Sequence, residues 1–138
     1  MNSETNFTAR FSPVVSRPEA FLDAKTGLMI AAYDLVLPNG TCEFKHDEIE
    51  DALKNFRCAG HNDWRNWDDE EACSVIDRSL IEPAADPALG LKPAWYWTSK
   101  KYKGDSSFAW AVTFHGGYVN VFDRNCRFRV RAVRSARQ

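Results

Sequence analysis

The densest chemistry in this chain is the pentad His61, Asn62, Asp63, Trp64 and Arg65. A histidine two residues from a carboxylate is the minimum for an acid–base pair, and nothing in this spacing demands that use. Asp68, Asp69, Glu70 and Glu71 offer the oxygens that Ca²⁺ prefers. Four consecutive helical residues point in different directions, however, so they cannot converge on one ion. An acidic helix start accounts for them, and no metal and no cofactor is expected.

The cysteines, Cys42, Cys58, Cys73 and Cys126, are widely and irregularly spaced, with no paired or zinc-like pattern. Cys58 and Cys73 fall in expected helical segments and read as small core residues. Cys126 lies between Arg124 and Arg127, cations that favour a reactive thiolate. No disulfide framework is evident, and Met1 to Arg10 lack the apolar run of a secretory leader. The expected compartment is the reducing cytoplasm, with no membrane association.

Basic residues cluster late. Lys100, Lys101 and Lys103 surround Tyr102 in an expected exposed loop, 99–107. Arg127, Arg129 and Arg131 alternate as on one strand face, extended by Arg134 and Arg137. Two readings apply to this Arg stripe: edge-strand charge that blocks aggregation, or a phosphate- or acid-binding surface. Net charge is −1, which gives nucleic acid no general electrostatic case outside that stripe. Residues 43–71 hold ten acids against four bases, while 124–138 hold six Arg and no acid. Compensation across the fold and a charged docking surface both fit this asymmetry.

The elements that must carry these groups can be read from periodicity. At 138 residues, 44% hydrophobic and 27% charged, the chain suits one domain with its own core. Residues 1–18, with Pro13 and Pro18, read as a flexible arm, and 19–138 as a single domain. Leu28 to Leu37 reads as a strand ended by Pro38-Asn39-Gly40. Ile49, Ala52, Leu53 and Phe56 make one apolar stripe on a helix over 47–57, which Gly60 can end. A second helix is expected over 68–78, then a proline-rich loop over 82–93. Trp95 to Thr98 begins the strands. Phe108, Trp110, Val112 and Phe114 form an apolar stripe that makes Trp110 a core residue, as Trp64 is expected to be. Tyr118 and Phe122 follow in a next strand, and Phe128, Val130 and Ala132 in a last one.

Read together, Thr26-Gly27-Leu28-Met29, Asp63-Trp64-Arg65, Trp95-Tyr96-Trp97-Thr98-Ser99, Ala109-Trp110-Ala111-Val112-Thr113-Phe114, Gly117-Tyr118-Val119 and Val130-Arg131-Ala132-Val133-Arg134 resemble the Lcl C-terminal domain family. The resemblance spans roughly residues 20 to 134. It implies an α+β fold of the C-type-lectin-like kind, two helices packed on a small, twisted, mostly antiparallel sheet. It also implies a distant relation to formylglycine-generating sulfatase modifiers. At matching positions it places Asp63-Trp64-Arg65 at the link between the two helices, where an Asp–Arg pair and a buried indole fix the loop; it makes Arg131 and Arg134 structural, and Ala132 stands where the family often has Cys. The chain departs from the family after Arg65, with Asn66-Trp67 in place of Leu-Pro, which implies that Trp67 is exposed and specific to this chain. It also lacks the calcium-site triplets of sugar-binding C-type lectins. The expected function is non-enzymatic binding of another macromolecule, a protein with an acidic surface, with a phage-encoded inhibitor of a host defence component as one setting. The alternatives are a carbohydrate-binding module of a phage or cell-surface adhesin, and a formylglycine-generating-type enzyme. The expected binding residues are Lys100, Lys101, Tyr102, Lys103, Tyr118, Arg127, Arg129 and Trp67.

Overall fold

The structure, a computed structural model, describes residues 10–14 and 19–136. Most of the expected arm lies outside these. The part described is not free: β1 (Phe11–Pro13) pairs antiparallel with β2 (Ala20–Asp23), and Arg10 grips the buried Asp23 carboxylate at 2.7 Å.

Two antiparallel sheets and two short helices make an α+β architecture. β2 and β3 (Leu28–Ala31) are joined by the Thr26-Gly27 turn. There Thr26 Oγ1 donates to Asp23 Oδ2 at 2.6 Å and accepts from the Leu28 N–H, while Gly27 adopts a φ of +76° that favours glycine. The first sheet continues through β8 (Ala132–Ser135) to a two-residue edge strand, β4 (Arg65–Asn66), in the order β1-β2-β3-β8-β4. The second sheet is a meander of β5 (Trp95–Lys101), β6 (Phe108–Thr113) and β7 (Tyr118–Asp123). The C-terminal segment ties the sheets together. Arg129 exchanges backbone bonds with Trp95 and Trp97 of β5, and Phe128 with Phe44.

This segment corrects one expectation. Residues 127–131 are extended but form no regular strand; only isolated bridges join Phe128 and Arg129 to their neighbours. The reason is that the chain must cross from one sheet to the other here before it enters β8.

The helices are shorter than expected. α1 is Ile49–Lys54, entered through a 3-10 turn at His46–Glu48, and α2 is Asp69–Ser74. The α1 stripe still reaches the core at Phe56. It does so through a tightened turn, in which the Phe56 N–H bonds the Leu53 carbonyl. Gly60 therefore does not end the helix. With Ala59, also at positive φ, it closes a turn in which Cys58 and His61 exchange backbone bonds, so Cys58 is not helical. α2 begins with a capping box: Asp68 Oδ1 accepts from the Glu71 N–H, and Glu71 Oε1 from the Asp68 N–H.

Two apolar clusters fill the interior. Met29, Leu35, Phe44, Ile49, Leu53, Trp64, Trp97 and Val130 pack under α1. Leu28, Ile30, Trp67, Leu89, Tyr96, Val112, Phe114 and Val133 pack under α2. β3, β5, β6 and β8 send alternate side chains into each, which is why Leu28–Ala31 and Ala109–Val112 are apolar at successive positions. Among the described residues, no helix is long and apolar enough to cross a membrane.

Candidate functional site

Most of the arginines are bound internally. Asp34, whose side chain is 7% exposed, accepts from Arg131 Nη2 at 2.8 Å and Nε at 3.1 Å, from Arg129 Nη1 at 3.1 Å, and from the Tyr96 hydroxyl at 2.8 Å. Arg131 also donates to the carbonyls of Ala31, Leu89 and Gly90. Burial and the neighbouring Asp34 charge hold the Tyr96 hydroxyl well above its usual pKa. Arg134 meets Asp63 at 2.6 Å, and Arg127 meets Glu48 at 3.1 Å. Asp63 therefore pairs with Arg134 across the fold and not with nearby Arg65, which makes a two-pronged contact with Glu71 at 2.7 and 2.8 Å. Much of the acidic–basic asymmetry is thus internal compensation, and the Arg stripe is no shared solvent face: Arg131 is buried, Arg129 half-buried and Arg127 exposed.

Trp67, expected to be exposed, is 1% exposed and donates its indole N–H to the Trp97 carbonyl at 3.1 Å. It fills the space between Tyr96 and Phe114. Trp64 is buried as expected, with its indole N–H on the Cys58 carbonyl. Trp110, expected in the core, is half-buried and lies against Tyr102 with ring centroids 6.0 Å apart.

Four cations lie together at one end of the second sheet, while Lys25, Arg57, Arg78 and Lys92, exposed elsewhere, equally lack a carboxylate partner among the described residues. Lys100, Lys101 and Lys103 are exposed, and neither they nor Arg124 has a carboxylate partner among the described residues. Tyr102 belongs to the same end. Tyr118, 64% exposed, does not: it pairs with Thr113 at the β6–β7 turn, while the 102–107 loop meets β7 at the far end, Phe108 opposite Asp123.

Beside this cationic end is a cleft of about 720 Å³ between α1, β4 and the end of β5. Ile49, Leu53 and Trp64 supply apolar lining, and the charged lining mixes Asp47, Glu50 and Asp68 with Lys54, Arg65, Lys101 and Arg124. Sequence reasoning missed two of its residues, His46 and Arg124, because their roles depend on contact across 78 positions. Arg124 Nε donates to His46 Nδ1 at 3.0 Å. An arginine can only donate, so the His46 proton sits on Nε2, which donates to the Thr98 carbonyl at 2.8 Å. Burial lowers the His46 pKa, the Thr98 bond raises it, and the Arg124 and Lys101 charges lower it, with a net fall. Neutral His46, with both nitrogens engaged, thus serves to aim Arg124. A second groove, about 800 Å³, runs along the other side of α1 past Leu37, Phe56 and the Glu48–Arg127 pair.

All four cysteines are free thiols. Burial, helped by Glu19 at Cys58 and by Asp69 at Cys73, pushes those two thiols up, away from the reactive thiolate. Among the described residues, no group of three or more His, Cys, Asp or Glu is placed to hold a metal ion.

The model of the Lcl C-terminal domain family matches residues 19–134. No curated protein matches the chain.

Proposed function

This chain belongs to the Lcl C-terminal domain family, and from that premise we propose that it is a C-type-lectin-like, non-enzymatic domain that binds another protein through an acidic surface of that protein. One observation carries the reading. The arginines of the basic tail are largely consumed by internal pairs, whereas Lys100, Lys101, Lys103 and Arg124 stand unpaired at one end of the second sheet, around Tyr102. Unpaired surface cations attract acidic partners and speed their association, and an aromatic ring among them supplies an anchor. The four free thiols suit a reducing compartment. An inhibitor of a host component, carried by a phage, would work there.

The test is affinity capture from the source cells, comparing the wild-type chain with a Lys100/Lys101/Lys103 triple-alanine variant. Expected is an acidic protein that the triple variant loses, with association slowed most at low salt. Capture that is indifferent to these lysines, or lost instead on charge reversal of Asp68 to Glu71, sinks the reading.

A further inference from the structure

β7 is the outermost strand of the second sheet, and its outer edge is apolar. Over Tyr118–Asp123 it holds no proline and Asp123 as its one charged residue, and Tyr118, Val119 and Asn120 are exposed. Natural sheets blunt such edges with lysine, proline or a bulge, because a bare edge invites another strand. The register tells which groups face outward. Ser107 and Arg124 continue the β6–β7 ladder, with the Arg124 N–H on the Ser107 carbonyl at 2.9 Å. Bonded positions alternate along an antiparallel strand, so Tyr118, Asn120 and Phe122 bond β6, while Val119 and Val121 turn their N–H and C=O outward. The outward stretch is bounded at both ends. The Gly117 carbonyl accepts from Arg78 Nε, and the Asp123 carbonyl from the Cys126 N–H, each at 2.9 Å. The Val121 N–H rests on Asn120 Oδ1 at 2.8 Å, a contact within the strand that a neighbouring strand can replace.

The strand itself names its neighbour. Read outward from Asn120 in either direction, it runs Asn, Val, aromatic. We propose that β7 pairs antiparallel with β7 of a second copy of this chain, about a two-fold axis at Asn120, so that two three-stranded sheets become one. Val119 then exchanges both backbone bonds with Val121 of the second copy, and Val121 with its Val119. Tyr118 comes opposite Phe122 of the second copy, so aromatic meets aromatic and valine meets valine. One step further, Asp123 comes opposite Gly117 of the second copy. A Cβ on Gly117 would point at Ile76 and Arg78, so Arg78 lies on the face where that Asp123 arrives. Asp123 and Arg78 are both exposed, and neither has an oppositely charged partner among the described residues. The two-fold axis gives each the other, once on either side. A strand of an unrelated protein has no reason to match both the palindrome and the two charges. One strand pair covers less than a standard interface, so the dimer forms at high protein concentration. The proposal goes beyond the protein-binding reading above and does not rest on it, since it uses none of Lys100, Lys101, Lys103 or Arg124.

The test is sedimentation equilibrium of the full chain up to about 1 mM, with NMR on a mixture of labelled and unlabelled copies. Expected is a monomer–dimer equilibrium, with intermolecular contacts between the Val119 and Val121 methyl groups. Val119→Pro removes an N–H on the outward side and spares the bonds to β6, so it should abolish the dimer while the chain stays folded. Asp123→Arg and Arg78→Glu should each weaken association about tenfold, because like charges then meet across the axis. An equimolar mixture of those two variants should recover wild-type association as a heterodimer, since every charge then faces its opposite. Val36→Lys, at a valine 55% exposed elsewhere on the surface, should leave the dimer unchanged. Where a charge variant fails to fold, Val119→Pro and the methyl contacts carry the test. A chain still monomeric at the highest concentration overturns the proposal and leaves the edge to a strand of another protein. A dimer that survives Val119→Pro, or a mixture of the charge variants no tighter than its components, overturns it as well.

Discussion

Asp34 sets more of this structure than any residue that the sequence draws attention to. It stands alone in sequence, flanked by Tyr33 and Leu35, yet it collects Arg129, Arg131 and the Tyr96 hydroxyl. Its partners lie 62 to 97 positions away, so no local pattern marks it. The arginine half of the contact was legible, because the Val130-Arg131-Ala132-Val133-Arg134 motif marks Arg131 and Arg134 as structural. Removing one member of a buried ion network strands the others, at a cost of about 3–5 kcal/mol. Asp34→Ala should lower the unfolding free energy by that amount in urea titrations, and the Asp34→Ala/Arg131→Met double variant should recover part of it. A loss under about 1 kcal/mol would show that the network is dispensable. His46 makes a second residue-level prediction, and its sign follows from its lowered pKa. As pH falls below about 6.5, the unfolded chain takes up a proton that folded His46 resists, so stability falls with pH until the folded value is passed. Protonation also puts a donor on Nδ1 against Arg124 Nε. Between pH 7.5 and 5.5, wild type should lose stability relative to His46→Gln; parallel curves for the two would remove His46 from this account.

At the scale of elements, the apolar periodicity located the strands but not their depth. A strand with one buried face alternates, and β5, β6 and β8 do not, since each lies between two apolar clusters. The stripe of Phe108, Trp110, Val112 and Phe114 looked uniform for that reason. In the structure its far half, Val112 and Phe114, is fully buried, and its near half reaches the exposed 102–107 loop. The two tryptophans consequently exchange the roles expected for them. Trp67 is enclosed by Tyr96 and Phe114 with its indole N–H satisfied. Trp110 leans on Tyr102 at the rim. Truncating a buried ring costs about 3–5 kcal/mol, a large share of a domain's stability. Trp67→Ala should therefore be insoluble or close to unfolded, and Trp110→Ala soluble with less than half that loss by thermal or urea unfolding. Equal losses would show that Trp110 is buried after all. The helices were placed by the apolar stripe of α1 and the acidic start of α2. Their short lengths were not legible, because each ends where the chain turns to meet a partner that is distant in sequence.

At the scale of the molecule, the order of the chain and the order of the fold run against each other. The last strand, β8, sits inside the first sheet between β3 and β4, and the segment before it carries the backbone bonds that join the two sheets. The charge asymmetry hinted at this arrangement, since a basic tail with acids far upstream must either meet them or face solvent. Arg127 with Glu48 and Arg134 with Asp63 are that meeting. What the sequence could not supply is the register, which depends on Val130, Ala132 and Val133 filling both cores at 0–1% exposure. Burying each valine contributes about 1.5–3 kcal/mol, and the sheet bonds and the Asp34 network depend on the same segment. Their sum rivals the whole stability of a typical domain, about 5–15 kcal/mol. A chain ending at Asn125 should then lack a cooperative thermal transition and near-ultraviolet tryptophan dichroism, although it retains both helices and the entire β5–β7 meander. Adding residues 126–138 as a separate peptide should restore the transition in a concentration-dependent way. A cooperative transition in the shortened chain alone would mean that the second sheet and α1 stand without the closing strand, and that the folding unit is smaller than the molecule.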